Sequence, residues 1–203
     1  MGLKRPPRED TVKTKLALVG MLLAGGAAQA AVPVASGLPA GYTFSEYSGA
    51  APVGAGLVDT DSVLWFIDEK AVAGVKSWYI FFDPLDAQRV SGTITFDTPI
   101  VDVLTTKTQL DSTNATYGID VDHDGIFNDY STSFLIGLER ADFISWTPGG
   151  NTVTIDWGTS DPGDHIRVLT EARTPPVPEP ETWALFAAGL AALGWRGRRA
   201  AQA

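Results

Sequence analysis

The chain has 203 residues, no cysteine and a formal net charge of −9. Its length suits one domain with processing segments at the ends, and the missing cysteine excludes a disulfide framework and a thiolate metal centre. Lys4, Arg5, Arg8, Lys13 and Lys15 lie at one end and Arg196, Arg198 and Arg199 at the other, so the body between carries a net charge of about −15. Such a surface repels phosphate and excludes nucleic acid as a partner, while cations and neutral sugars remain compatible.

Residues 1–30 read as a secretory signal. A basic stretch leads into the apolar run Leu16–Ala28, and Ala28 and Ala30 place small side chains where a signal peptidase reads them. The run has about 13 residues, against about 20 needed to span a bilayer.

Residues 31–172 read as strands. "VLWFI" (63–67) and "VKSWYIFF" (75–82) are apolar on both faces, as central strands are. "VSGTITFD" (90–97) alternates, with Val90, Ile94 and Phe96 on one side and Thr93 and Thr95 on the other. "IVDVLT" (100–105) follows Pro99. "FISW" (143–146), "TVTIDW" (152–157) and "HIRVLT" (165–170) are separated by Pro-Gly turns and predict a three-stranded antiparallel meander. Between Tyr42 and Thr170 no amphipathic helix is expected beyond one turn in "GLERAD" (137–142). Eight to ten short strands without helices predict an all-β fold, an antiparallel β-sandwich with a jelly roll or barrel as the alternative. Residues 173–177 form a proline-rich linker.

The segment 178–199 carries the strongest signal. Pro178, Glu179 and Pro180 precede an apolar stretch from Trp183 to Trp195, and Arg196, Arg198 and Arg199 follow. As a helix the stretch spans about 20 Å, short of a hydrocarbon core near 30 Å. Tryptophans at both ends suit the bilayer interfaces, and the arginines suit a cytoplasmic stop. These features predict a single hydrophobic helix and a marginal membrane hold. In this order they resemble the PEP-CTERM sorting tail, also known as the ice-binding protein C-terminal domain. The resemblance implies export in a Gram-negative, exopolysaccharide-producing bacterium. It also implies transient residence in the inner membrane and recognition at Pro178, Glu179 and Pro180 by an exosortase, a membrane protease or transpeptidase.

Within the body, "DVDHDGIFNDYS" (120–131) is the candidate cation loop. Asp120, Asp122 and Asp124 alternate before Gly125, Ile126 offers a carbonyl and Asn128 a side-chain oxygen, a spacing that suits weak calcium binding. It resembles the calcium loops of dockerin and thrombospondin-type repeats. Ser131 stands at the closing position, where an acid is usual, and Asp129 is out of place for that role. A solvated acidic turn would read the same way.

Trp65, Trp78, Trp146 and Trp157 fit core positions, with Trp157 the best candidate for partial exposure. His123 and His165 lack metal-ligand spacing, and Ser160, Asp161, Asp164 and His165 fit a turn entering a strand. Thr93-x-Thr95 and Thr152-x-Thr154 are isolated pairs without the repeat an ice-binding face needs. The sequence therefore predicts a non-enzymatic, exported surface or matrix protein, with a calcium-dependent carbohydrate-binding module that meets extracellular polysaccharide as the alternative.

Overall fold

The structure is a computed structural model and describes residues 31–53, 55–127, 129–130, 133–173 and 185–190. In chain order the strands are β1 (Val34–Ser36), β2 (Thr43–Glu46), β3 (Val63–Val72), β4 (Val75–Phe82), β5 (Gln88–Thr95), β6 (Ile100–Leu104), β7 (Phe143–Trp146), β8 (Thr152–Thr159) and β9 (Asp164–Glu171), with helix α1 (Lys107–Tyr117) between β6 and β7. They form a four-stranded sheet, β1-β5-β8-β7, and a five-stranded sheet, β2-β3-β4-β9-β6. Among the described strands only the β2–β3 pair is parallel.

The two sheets face each other across one core. Val90 and Ile94 of β5 and Val153, Ile155 and Trp157 of β8 pack with Leu64 and Phe66 of β3, Trp78, Ile80 and Phe82 of β4, and Ile166 and Val168 of β9. The alternation in β5 and β8 sends Thr93, Thr95, Thr152 and Thr154 outward. The all-β, two-sheet architecture predicted from the strand patterns is present.

Two expectations are overturned. The predicted meander breaks after β8: β7 pairs with β8, but β9 crosses to the opposite sheet and pairs with β4 and β6. The reason lies in β9 itself. Ile166 and Val168 face the inter-sheet core while His165 and Arg167 are buried on the other side, and only a central strand covered on both faces satisfies that pattern. The other miss is α1. Its only buried side chain is Leu110, so it has almost no apolar stripe. Its start is nonetheless written in the chain as a capping box. The Gln109 amide N–H donates to Thr106 Oγ1 at 3.4 Å, and the Thr106 N–H donates to Gln109 Oε1 at 3.1 Å.

Why "VKSWYIFF" is apolar on both faces now becomes clear. Tyr79 and Phe81 point away from the sandwich into a second core with Tyr47, Val53, Ile67, Leu104, Leu110, Val121, Tyr130 and Ile136. A covering layer of α1 and the loops before β3 and β7 closes over the outer face of the five-stranded sheet. At its centre lies the fully buried ion pair Glu69–Arg167. A bulge in β3 sets Glu69 and Lys70 together opposite Ser77, and the Ser77 hydroxyl donates to Glu69 Oε2 at 2.5 Å. Arg167 Nε and Nη2 each donate to the Glu69 carboxylate at 2.7 Å. Its remaining donors reach α1: the Leu110 carbonyl at 2.9 Å, Asn114 Oδ1 at 2.8 Å and the Thr113 hydroxyl. All five guanidinium hydrogens are thereby placed. Burial works against the Arg167 charge, but hydrogen bonds and charge from Glu69 outweigh it and hold the group above its ordinary range.

Arg167→Met or Glu69→Gln strands one charge in the core and is expected to cost about 3–5 kcal/mol. Asn114→Ala, which removes one neutral partner, is expected to cost about 1 kcal/mol. Urea unfolding of the three variants measures both, and equal losses would contradict the arrangement.

Candidate functional site

Helix α1 ends where the Gly118 N–H donates to the Asn114 carbonyl at 2.8 Å, and the acidic loop begins at once. Its two ends are anchored: Val121 and Tyr130 are buried in the second core. Around these anchors the aspartates organise the backbone. Asp120 Oδ2 accepts from the Gly125 N–H at 2.8 Å, Asp122 Oδ1 from Asp124 at 3.1 Å, and Asp124 Oδ1 from Ile126 at 2.6 Å. Gly125 sits at φ 86°, where a side chain would be strained.

The loop brings together a different triad from the one the spacing suggested. Oxygens of Asp120, Asp122 and Asp129 lie within 4.8 Å of one another, whereas Asp124 stands outside the group. Asp129, judged out of place from sequence, folds back beneath the loop, where its Oδ2 accepts the Val121 N–H at 2.6 Å. Burial, reinforced by the charges of Asp122, Asp120 and Asp124, pushes its carboxyl above the usual range. Asp120 Oδ1 is buried without a hydrogen-bond partner. The Ile126 side chain is exposed. Asn128 and Ser131 lie outside the described residues.

A second acidic group, invisible to sequence spacing, joins Glu139, Asp142 and Asp164. Asp142 Oδ2 accepts the Glu139 N–H at 2.8 Å and its Oδ1 the Gly158 N–H at 3.1 Å, which fastens the turn before β7 to β8. Asp164 opens β9 and is fully buried. Burial, then the charges of Asp142 and Glu139, push its carboxyl up to about 8.

The remaining sequence candidates are structural. His165 stacks on Phe81, with ring centres 5.4 Å apart, and its Nε2 meets the Pro162 carbonyl at 3.0 Å. Burial pushes it down to about 4, so it is neutral at pH 7. Adjacent strand residues point to opposite faces, so His165 and Asp164 do not work together. His123 is exposed at the loop tip. Trp157, the best candidate for partial exposure among four tryptophans that fit core positions, is fully buried because its β8 register turns it between the sheets with Val153 and Ile155; Trp78 is also fully buried. Trp65 and Trp146 are half-buried. The two threonine pairs are not isolated: Thr93 lies opposite Thr154 and Thr95 opposite Thr152. They make a four-threonine block, with the Thr93 and Thr154 hydroxyls 3.3 Å apart, bounded on one side by the Ser91–Asp156 rank.

In the tail, residues 185–190 are helical and exposed. Among the described residues no helix is long and apolar enough to cross a membrane. The signal segment with Ala28 and Ala30, the residues Pro178, Glu179, Pro180, Trp183 and Trp195, and the three terminal arginines Arg196, Arg198 and Arg199 lie outside the described residues. Residues 176–199 match the family model of the PEP-CTERM protein-sorting motif. The chain carries that sorting motif, which implies an exported protein processed at the membrane through interaction with an exosortase. No curated protein and no solved structure matches the chain.

Asp83 offers a clean electrostatic test. It is fully buried, and its Oδ2 accepts the Val58 N–H at 3.2 Å. Burial, then the charges of Asp161 and Asp59, push its carboxyl up to about 6. A folded-state value above the unfolded one means that stability falls as pH rises from the unfolded value through about 6. Wild type should therefore lose on the order of 1–3 kcal/mol relative to Asp83→Asn between pH 4 and 7. Urea melts across that range check this, and parallel curves would contradict it.

Proposed function

We propose that this protein is a non-enzymatic component of the cell surface or exopolysaccharide matrix of a Gram-negative bacterium, delivered there by exosortase sorting. One observation carries the reading: the sorting motif at 176–199 follows almost directly on β9, which ends at Glu171. A folded sandwich is thus tethered by a short proline-rich linker to the signal that routes it. Trp183–Trp195 enters the inner membrane and Arg196, Arg198 and Arg199 hold it there, while Pro178, Glu179 and Pro180 present the recognition element to the enzyme.

Replacing Pro178, Glu179 and Pro180 by alanine in an exosortase-producing host should leave the full-length chain in the membrane fraction. Mass spectrometry of the secreted wild-type protein should find it without the Arg196–Arg199 segment. Secreted protein that keeps those arginines would overturn the reading.

The second reading is a calcium-dependent carbohydrate-binding module. It is favoured by the acidic loop, where Phe127 and Ile126 stand about half exposed beside the carboxylates, an arrangement suited to a cation and a stacked sugar ring. Millimolar calcium should raise the melting temperature, and the Asp120→Asn/Asp122→Asn double variant should lose part of that rise. An undiminished rise removes the loop as a calcium site. Retention on polysaccharide that a chelator abolishes would favour the module over the purely structural role.

A further inference from the structure

We infer that Glu139, Asp142 and Asp164 form a second divalent-cation site, suited to calcium, which clasps the two sheets together at one end of the sandwich. One carboxylate oxygen from each residue lies within 4.8 Å of the others. Calcium–oxygen bonds of about 2.3–2.6 Å allow two ligands of one ion to stand up to about 5 Å apart, so a single ion reaches all three.

Proximity of acids would not suffice without the state of Asp164. The residue has no exposed surface, no donor reaches either carboxylate oxygen at hydrogen-bond geometry, and its nearest polar neighbours are the Glu139 carboxyl and the Thr159 hydroxyl. The Thr159 hydroxyl lies beside it, but that hydroxyl donates to the Ser160 carbonyl at 3.1 Å. Among the described residues no lysine, arginine or histidine forms an ion pair with any of the three acids. A buried carboxylate with neither donor nor counter-charge is strongly disfavoured, and buried charges are ordinarily paired or bound to metal. The unused oxygens of Asp164 belong to the same cluster as those of Glu139 and Asp142, so a cation placed there satisfies all three.

The surroundings suit a hard ion with water in its remaining positions. The ligand set is oxygen only, which selects calcium-like over softer ions. An open pocket of about 220 Å³, lined by Glu139, Thr159, Ser160 and Gly163 among others, adjoins the cluster. Asp142 is already held, through the Gly158 N–H and the Glu139 N–H, on the four-stranded sheet side, whereas Asp164 starts β9 of the five-stranded sheet. The ion therefore crosses from one sheet to the other where the β8–β9 connection changes sheets.

The test is calorimetric titration of the purified full chain with calcium chloride alone, in the Asp120→Asn/Asp122→Asn background, which disables the other acidic group. We expect one calcium per chain with a Kd of about 0.1–1 mM, the range of extracellular sites. Adding Glu139→Gln or Asp164→Asn should weaken binding at least tenfold. Glu139 lies on an exposed turn, so its variant decides the matter if the Asp164 variant fails to fold. No calcium uptake by the background variant at 10 mM, or an affinity unchanged by Glu139→Gln, overturns the site.

Discussion

The buried pair Glu69–Arg167 is the interaction on which the covering layer depends. Helix α1 buries only Leu110, and one aliphatic side chain contributes roughly 1.5–3 kcal/mol, too little to dock eleven residues of helix by apolar packing alone. Arg167 supplies the missing attachment, because its guanidinium holds a main-chain carbonyl and two side chains of α1 while its other edge is locked to Glu69. Buried ion pairs seldom add net stability over a well-packed apolar substitute. Here the pair does something an apolar side chain cannot: the directions of five hydrogen bonds fix where the helix lies on the sheet.

From that point the constraint passes to the acidic loop. The Arg167 guanidinium lies over the Tyr79 ring at 5.0 Å and the Tyr130 ring at 5.6 Å. The Tyr130 hydroxyl in turn meets the Ile119 N–H at 3.4 Å. Tyr130 and Val121 are clamped in the second core, and their neighbours Asp120, Asp122 and Asp129 come close together. The second acidic group has a different support. It is set by β8 and β9, which diverge into separate sheets and leave Asp164 facing the turn that holds Glu139 and Asp142. Both groups gather negative charge in a body that is already strongly acidic, an arrangement that cations relieve.

Much of this was legible in the chain. The alternation of β5 and β8 and the two-faced apolar runs of β3 and β4 announced a sandwich with central strands at 63–67 and 75–82, though not the layer that covers them, and the ordered Pro-Glu-Pro, apolar and arginine features announced the sorting tail. What failed were features whose cause is not local. Helix α1 has no apolar stripe to reveal it, since its partner is a single arginine at the far end of the body; only the Thr106–Gln109 capping box marked it. The meander reading failed because turn chemistry fixes a reversal but not which sheet the next strand joins. Asp129 was set aside for the closing position by counting from Asp120, and its place beside Asp120 and Asp122 is decided instead by the fold-back beneath the loop. The Glu139–Asp142–Asp164 group required β9 to be placed first.

Hydrogen–deuterium exchange of the wild type and the Glu69→Gln variant tests the central claim most directly. If the ion pair fastens the covering layer, amides of α1 and of the segment around Val121 are protected together in the wild type. In the variant both lose protection, while β5 and β8 keep theirs. Unchanged protection of α1 in the variant, or loss spread evenly over both sheets, would contradict the account.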